Sequence, residues 1–199
     1  MSKRRPSMSV TPVQRLIDGN RRFVAGEPRH DHSDVGRVKS TSGAQAPFAT
    51  VLACADSRLP VEVLFDQGIG DLFVCRNAGN VATVETIASI EYSVAHLDVK
   101  LILVMGHTSC GGVKAGLQRD ALPGMLPVLQ TAMSAAVQRA GGYDVATEND
   151  VVRANVFEQC INVLRSDIVR KSGVAVVGAV YDLADAHVEF LTPRAPTQK

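Results

Sequence analysis

Nowhere does this 199-residue chain contain the ~20 consecutive apolar residues needed to cross a bilayer. The opening residues, MSKRRPSMSVTP, carry positive charge but no apolar run follows them. The pattern of a secretory signal is therefore missing, and a cytoplasmic location is expected. An excess of one sign of charge is lacking too: 21 Lys and Arg stand against 20 Asp and Glu, a formal net charge of +1. That balance offers no electrostatic basis for binding nucleic acid or an anionic membrane surface, and neither partner is expected. The one basic cluster, Lys3–Arg5, lies in residues 1–10, read as a solvated, disordered tail. Tryptophan is absent, and cysteine is limited to Cys54, Cys75, Cys110 and Cys160. In a reducing compartment these thiols read as ligands or buried groups rather than as a disulfide framework. No internal repeat and no second-domain boundary is found, so residues 11–199 are expected to form a single α/β domain.

What is present is ordinary for a globular chain, with 46% apolar and 21% charged residues. Thr11 followed by Pro12 is a helix-start signal, and Gly26 and Pro28 a stop, which predicts an N-terminal helical arm over residues 11–28. Residues 29–46 are polar and rich in Gly and Ser, and read as an extended connection. Four short apolar runs follow: ATVLAC (49–54), DLFVCR (71–76), KLILVMG (100–106) and VAVVGAVY (174–181). Continuous rather than alternating apolar runs suit strands covered on both faces, as in a parallel sheet. Helical patterns separate them: a short one in PVEVLFDQ, a stronger one in VETIASIEYSVAHL, and a long one over 148–171. The alternation predicts an α/β fold with a mainly parallel central sheet and flanking helices. HVEFL (187–191) is expected to add an antiparallel edge strand.

In open α/β sheets ligands bind where strands end and loops leave toward helices. Two such loops are chemically dense, CADSR after the first strand run and GHTSCGG (106–112) after the third. His107 and Cys110 have spacing that can direct both side chains to one ion, and Gly111 and Gly112 let the backbone approach closely. With Cys54 they make a Cys₂His zinc donor set, which in catalytic sites leaves a fourth position open. Because Cys54 lies far away in sequence, a folded sheet must deliver it, unlike the paired local knuckles of small structural zinc modules. Asp56 can occupy the fourth position, orient a zinc-bound water, or cap the following turn. Arg58 can pair with it and keep it ionised.

C-x-D-x-R followed about fifty residues later by G-H-x-x-C-G-G resembles the signature of the β-class carbonic anhydrases. NRRFVAG, DQGIGDLFVCRNAGN, SIEYSVAHL and GAVYDL also fall in that family's order, so the resemblance spans nearly the whole chain. It implies a zinc enzyme, one zinc per subunit on Cys54, His107 and Cys110, that reversibly hydrates carbon dioxide to bicarbonate and a proton through a zinc-bound hydroxide. Asp56 and Arg58 would form the catalytic dyad, with Asp56 as fourth ligand in a closed state. Gln45, Phe73 and Tyr92, with Gly111 and Gly112, match the substrate pocket, although Phe73 and Tyr92 alone also read as ordinary core. Since such pockets lie at a subunit boundary in the family, a homodimer, or a tetramer built from it, is implied. A regulated subclass holds bicarbonate at a second site with a Trp, an Arg and a Tyr. Arg76 and Tyr181 match, but Val51 stands where the Trp would be, so that site is expected to be weak or absent.

Two other readings share these residues. One is a hydrolase of carbonyl sulfide or carbon disulfide, linear molecules isoelectronic with carbon dioxide. The other is a non-catalytic zinc-binding relative, which would be expected to have lost Asp56, Arg58 or a ligand. Cys75 and Cys160 read as buried thiols, His30 and His32 as solvent-facing, and His96 and His187 as structural or surface groups.

Overall fold

The structure, a computed structural model, describes residues 11–191. The tail assigned to residues 1–10, with Lys3–Arg5, and the last residues of the 11–199 span lie outside the described residues. Five strands form one sheet: β1 (Ala49–Cys54), β2 (Leu72–Asn77), β3 (Leu101–His107), β4 (Ala175–Tyr181) and β5 (Val188–Leu191), in the order β2-β1-β3-β4-β5. The first four are parallel, and β5 runs antiparallel to β4. Every residue of β1 and β3 is buried. Their unbroken apolar runs are thus those of central strands covered on both faces.

Eight α-helices flank the sheet among the described residues: α1 (Pro12–Val24), α2 (Val35–Thr41), α3 (Val61–Leu64), α4 (Val84–Leu97), α5 (Gly111–Leu117), α6 (Pro127–Arg139), α7 (Glu148–Leu164) and α8 (Asp167–Ser172). None is long and apolar enough to cross a membrane. α1 begins as its sequence predicts, with the Thr11 hydroxyl accepting from the Gln14 N–H. It ends in a Schellman turn: Gly26, at φ 72°, donates to Phe23 O and Glu27 donates to Arg22 O. Buried Asn20 then docks α1, donating to Leu64 O and Ala186 O while accepting from the Val188 N–H at the start of β5.

Two local expectations are corrected. The connection over residues 29–46 is not wholly extended, because Asp34 caps the Arg37 N–H at 2.8 Å and starts α2. That helix buries no residue, so it has no apolar stripe for a pattern to reveal. The helical stretch 148–171 is two helices rather than one. Arg165 closes α7, and the Ser166 hydroxyl accepts from the Val169 N–H to start α8.

Candidate metal centre

The register fixes where the chemistry gathers. Ala53 of β1 lies opposite Met105 of β3, so Cys54 at the end of one strand and His107 at the end of the other emerge at the same edge of the sheet. Cys110 follows after a tight turn in which Ser109 takes a left-handed φ of 56°, and α5 starts immediately afterwards. The Cys54, His107 and Cys110 side chains are buried, and their ligand atoms all lie within 4.8 Å of one another. The two sulfurs are 4.0 Å apart. Tetrahedral zinc with bonds of about 2.3 Å to sulfur requires roughly 3.8 Å between its thiolates.

His107 supplies a further test of fit. Its Nδ1 lies 2.8 Å from Thr108 O, which assigns the proton to that nitrogen and leaves Nε2 as the free lone pair. Nε2 is buried and has no hydrogen-bond partner among the described residues. A buried acceptor left unpaired is costly unless something fills the role, and a metal ion held by the three residues would do so. Thr108 is itself fixed, its hydroxyl donating to Asp182 and accepting from the Leu183 N–H.

Cys54 is the sulfur that ionises first. The neighbouring Cys110 thiol stabilises its thiolate, and His107 and the Gly79 N–H, 3.3 Å from the sulfur, add to that against the upward push of burial. Cys110 is driven the other way, by the Cys54 thiolate and then by burial. A metal ion bound there would resolve this conflict by taking both sulfurs as thiolates.

Asp56 sits at the rim. Arg58 donates to it three times, from Nε at 2.9 Å, from Nη2 at 2.7 Å and from its backbone N–H at 2.9 Å. The Arg58 side chain is the main reason the carboxyl is held well below the usual carboxylate range. Asp56 Oδ2 also lies 4.0 Å from His107 Nε2, so the carboxylate faces the ligand cluster. Arg76 secures the loop from behind, donating to Cys54 O at 3.0 Å and Asp56 O at 2.6 Å. Two of its donors are thereby engaged by the loop.

The pocket candidates divide. Gly112 lies against the metal loops: a Cβ there would sit 2.8 Å from Gly79 N, whereas Gly111 faces open space. Phe73 and Tyr92 come together with ring centroids 6.3 Å apart, and Tyr92 also stacks on His96 at 5.1 Å. Phe73, however, pairs with Thr50, four residues before Cys54, which places it about 13 Å back along the strand from the metal edge. Gln45 is exposed on the segment entering β1. The strand register therefore keeps Phe73, with Tyr92 against it, back from the end of β1 that carries Cys54.

Cys75 and Cys160 are half-buried thiols, pushed by burial up to about 11 and about 12 respectively. His32 is not simply solvent-facing, since its Nδ1 lies 2.9 Å from both Asp71 oxygens. His30, by contrast, is exposed, as is His187. Sequence reading missed Gly79, Thr108, Asp182 and the α7 amides Asn155 and Gln159. Gly79, Thr108 and Asp182 lie in NAGN, GHTSCGG and GAVYDL, stretches that stood out for other reasons, whereas Asn155 and Gln159 lie in no such motif.

A mainly parallel sheet with a buried Cys₂His cluster that could hold a metal, and an arginine-held carboxylate at its carboxyl edge, defines a class of α/β protein with a candidate metal site. Comparison with known proteins narrows the class. The carbonic anhydrase family model matches residues 49–188. A carbonic anhydrase of Mycolicibacterium smegmatis is 38% identical over 92% of this chain and 94% of its own. Among solved structures, a β-carbonic anhydrase of Aspergillus fumigatus superposes with a TM-score of 0.72 at 30% identity, covering 80% of this chain and 82% of that one. A tetrameric β-carbonic anhydrase of Sordaria macrospora gives 0.72 at 27% identity, covering 87% and 93%. The chain belongs to the β-class carbonic anhydrases, a family of lyases.

Proposed function

We propose that this chain reversibly hydrates carbon dioxide to bicarbonate and a proton, with one zinc ion per subunit held by Cys54, His107 and Cys110. The observation that carries the reading is the pairing of an unpartnered, buried His107 Nε2 with an arginine-held Asp56 only 4.0 Å away. When bound, zinc supplies the acidity that makes water a nucleophile near neutral pH. Asp56, kept ionised by Arg58, offers Oδ2 as the acceptor for one proton of the reacting water and so aims its remaining lone pair at the carbon. The three Arg58 hydrogen bonds support an open arrangement in which Asp56 orients water instead of becoming the fourth ligand. A reducing, cytoplasmic setting suits a site that needs two free thiolates.

The substrate pocket in this reading is shared between subunits. Phe73 and Tyr92 form a partly exposed aromatic pair beside the edge strand β2, away from their own metal edge. A second copy presenting Gln45, Phe73 and Tyr92 would wall the site, so the working unit is a homodimer. Pairing of dimers into a tetramer, the state of the Sordaria relatives, fits the same scheme.

The test is stopped-flow hydration of carbon dioxide by zinc-loaded protein across about pH 6.5 to 9, with carbonyl sulfide and carbon disulfide hydrolysis assayed in parallel. A high rate that a chelator abolishes and zinc restores is the expected result. Zinc-loaded protein inactive toward carbon dioxide overturns the reading, and turnover of either sulfur compound in its place moves the hydrolase ahead.

A further inference from the structure

The turn between β2 and α4 lies between the two thiol-bearing segments. Its Gly79 N–H donates to Cys54 Sγ at 3.3 Å, and a Cβ on Gly112, two residues after Cys110, would meet Gly79 N at 2.8 Å. The backbone here is unusual, with Gly79 at φ 75° and Asn80 at φ 46° in succession. A non-glycine residue in the left-handed region is costly unless its surroundings hold it there.

What holds it comes from α7, on the other side of the turn. Asn155 Nδ2 donates to Gly79 O at 2.9 Å and to Asn80 Oδ1 at 3.3 Å. Gln159 Oε1 accepts from the Ala82 N–H at 2.9 Å, and Gln159 Nε2 donates to Asn155 Oδ1 at 2.9 Å. Both side chains are essentially fully buried, at 0% and 1% exposure. Asn77 completes the clamp by accepting from the Val81 N–H and donating to Val81 O, each at 2.7 Å. Two buried amides one helical turn apart are a poor way to fill a core, since apolar residues would pack there without needing partners. Here Asn155 holds the Gly79 carbonyl, on the peptide next to the one whose N–H reaches the sulfur, and Gln159 holds the Ala82 N–H at the far end of the same turn.

We propose that Asn155 and Gln159 are positioning residues for the Cys54 thiolate, acting through the Gly79 turn to hold the backbone N–H that donates to its sulfur. This rests on the metal reading above. An N–H···S bond withdraws charge from a thiolate and fixes its lone pairs, so these amides set both how tightly the sulfur binds a metal and how much charge it donates.

Two readouts test this: zinc affinity by competition with a chromophoric chelator, and the thiolate-to-metal charge-transfer band of cobalt(II)-loaded protein. Gln159→Leu is expected to weaken zinc binding by about 10- to 100-fold. It should also move the cobalt band to longer wavelength, because the sulfur becomes more electron-rich. Val163→Ala, a purely apolar change at a buried α7 position, controls for lost stability and should leave the band in place. If Gln159→Leu fails to fold, Asn155→Ser, which removes the donation to the turn and the acceptor of Gln159 Nε2 but leaves Gln159 on the Ala82 N–H, should shift the band the same way. Wild-type affinity and band in a folded Gln159→Leu or Asn155→Ser protein, or an equal shift in Val163→Ala, overturns the inference. Wild-type protein that takes up neither ion overturns the metal reading and this inference with it.

Discussion

Asp56 shows what one residue adds to a ligand set. Cys54, His107 and Cys110 could hold a metal, and in the proposed reaction a carboxylate fixed by three Arg58 hydrogen bonds and facing His107 Nε2 would act on water. Asp56→Asn keeps an acceptor for Arg58 but removes the charge, and one amide orientation turns an NH₂ toward the ligands. Carbon dioxide hydration is expected to fall by about 10²-fold or more, while zinc content and oligomeric state stay as in the wild type. Stopped-flow rates alongside metal analysis and sedimentation check this, and unchanged turnover would remove Asp56 from the mechanism. The Cys–His–Cys cluster and the Asp56–Arg58 pair were readable from residue types and spacing because each member must carry a particular functional group. Gly79 was not, since its contribution is a backbone N–H that any residue possesses.

At the scale of elements, Asp71 at the entry to β2 ties the N-terminal helices to the sheet. It accepts from the Gly68 N–H at 3.0 Å and pairs with His32 at 2.9 Å, Arg15 of α1 at 3.2 Å and Arg37 of α2 at 3.4 Å. Burial pushes its carboxyl up, but the Gly68 N–H, His32 and Arg15 outweigh that and leave it below the usual carboxylate range. With the folded value below the unfolded one, the unfolded chain binds the extra proton. The stabilisation is therefore complete above the ordinary carboxylate pKa of about 4 and is lost as pH falls through the lower, folded value. Asp71→Asn is expected to cost about 1–3 kcal/mol at neutral pH and to flatten the acid limb of stability. Denaturant melts at neutral and acidic pH measure both, and an unchanged acid limb would assign it to other groups. The strands and α1 were legible as apolar runs and cap signals. The exposed α2 and the break between α7 and α8 were not, because an Asp34 or a Ser166 cap acts on one local N–H and leaves no periodic trace.

For the whole molecule the question is what completes the pocket. If Gln45, Phe73 and Tyr92 serve the site of a second copy, defects in the two halves should complement each other. Asp56→Asn damages the metal side, and Phe73→Ala with Tyr92→Ala damages the pocket side. Co-expressed chains of the two kinds should form mixed dimers with one intact site, and so regain activity that neither variant has alone. Activity of the purified mixed dimer no higher than that of the parents would place the pocket within one chain. Phe73 is the residue on which this turns, because in one chain the strand register holds it at the level of Thr50 and away from Cys54.

Before any folding is considered, the residue types already specify a mainly parallel α/β sheet, a thiolate–imidazole donor set and a carboxylate–guanidinium pair. Apolar runs must be buried, and these functional groups have few substitutes. Which atoms meet follows from strand register and helix packing, which join residues far apart in the chain. Those long-range contacts bring Cys54 and His107 to one edge, aim two α7 amides at the Gly79 turn, and set Phe73 level with Thr50 and against Tyr92. No local pattern encodes such contacts, because each depends on where the rest of the chain has packed.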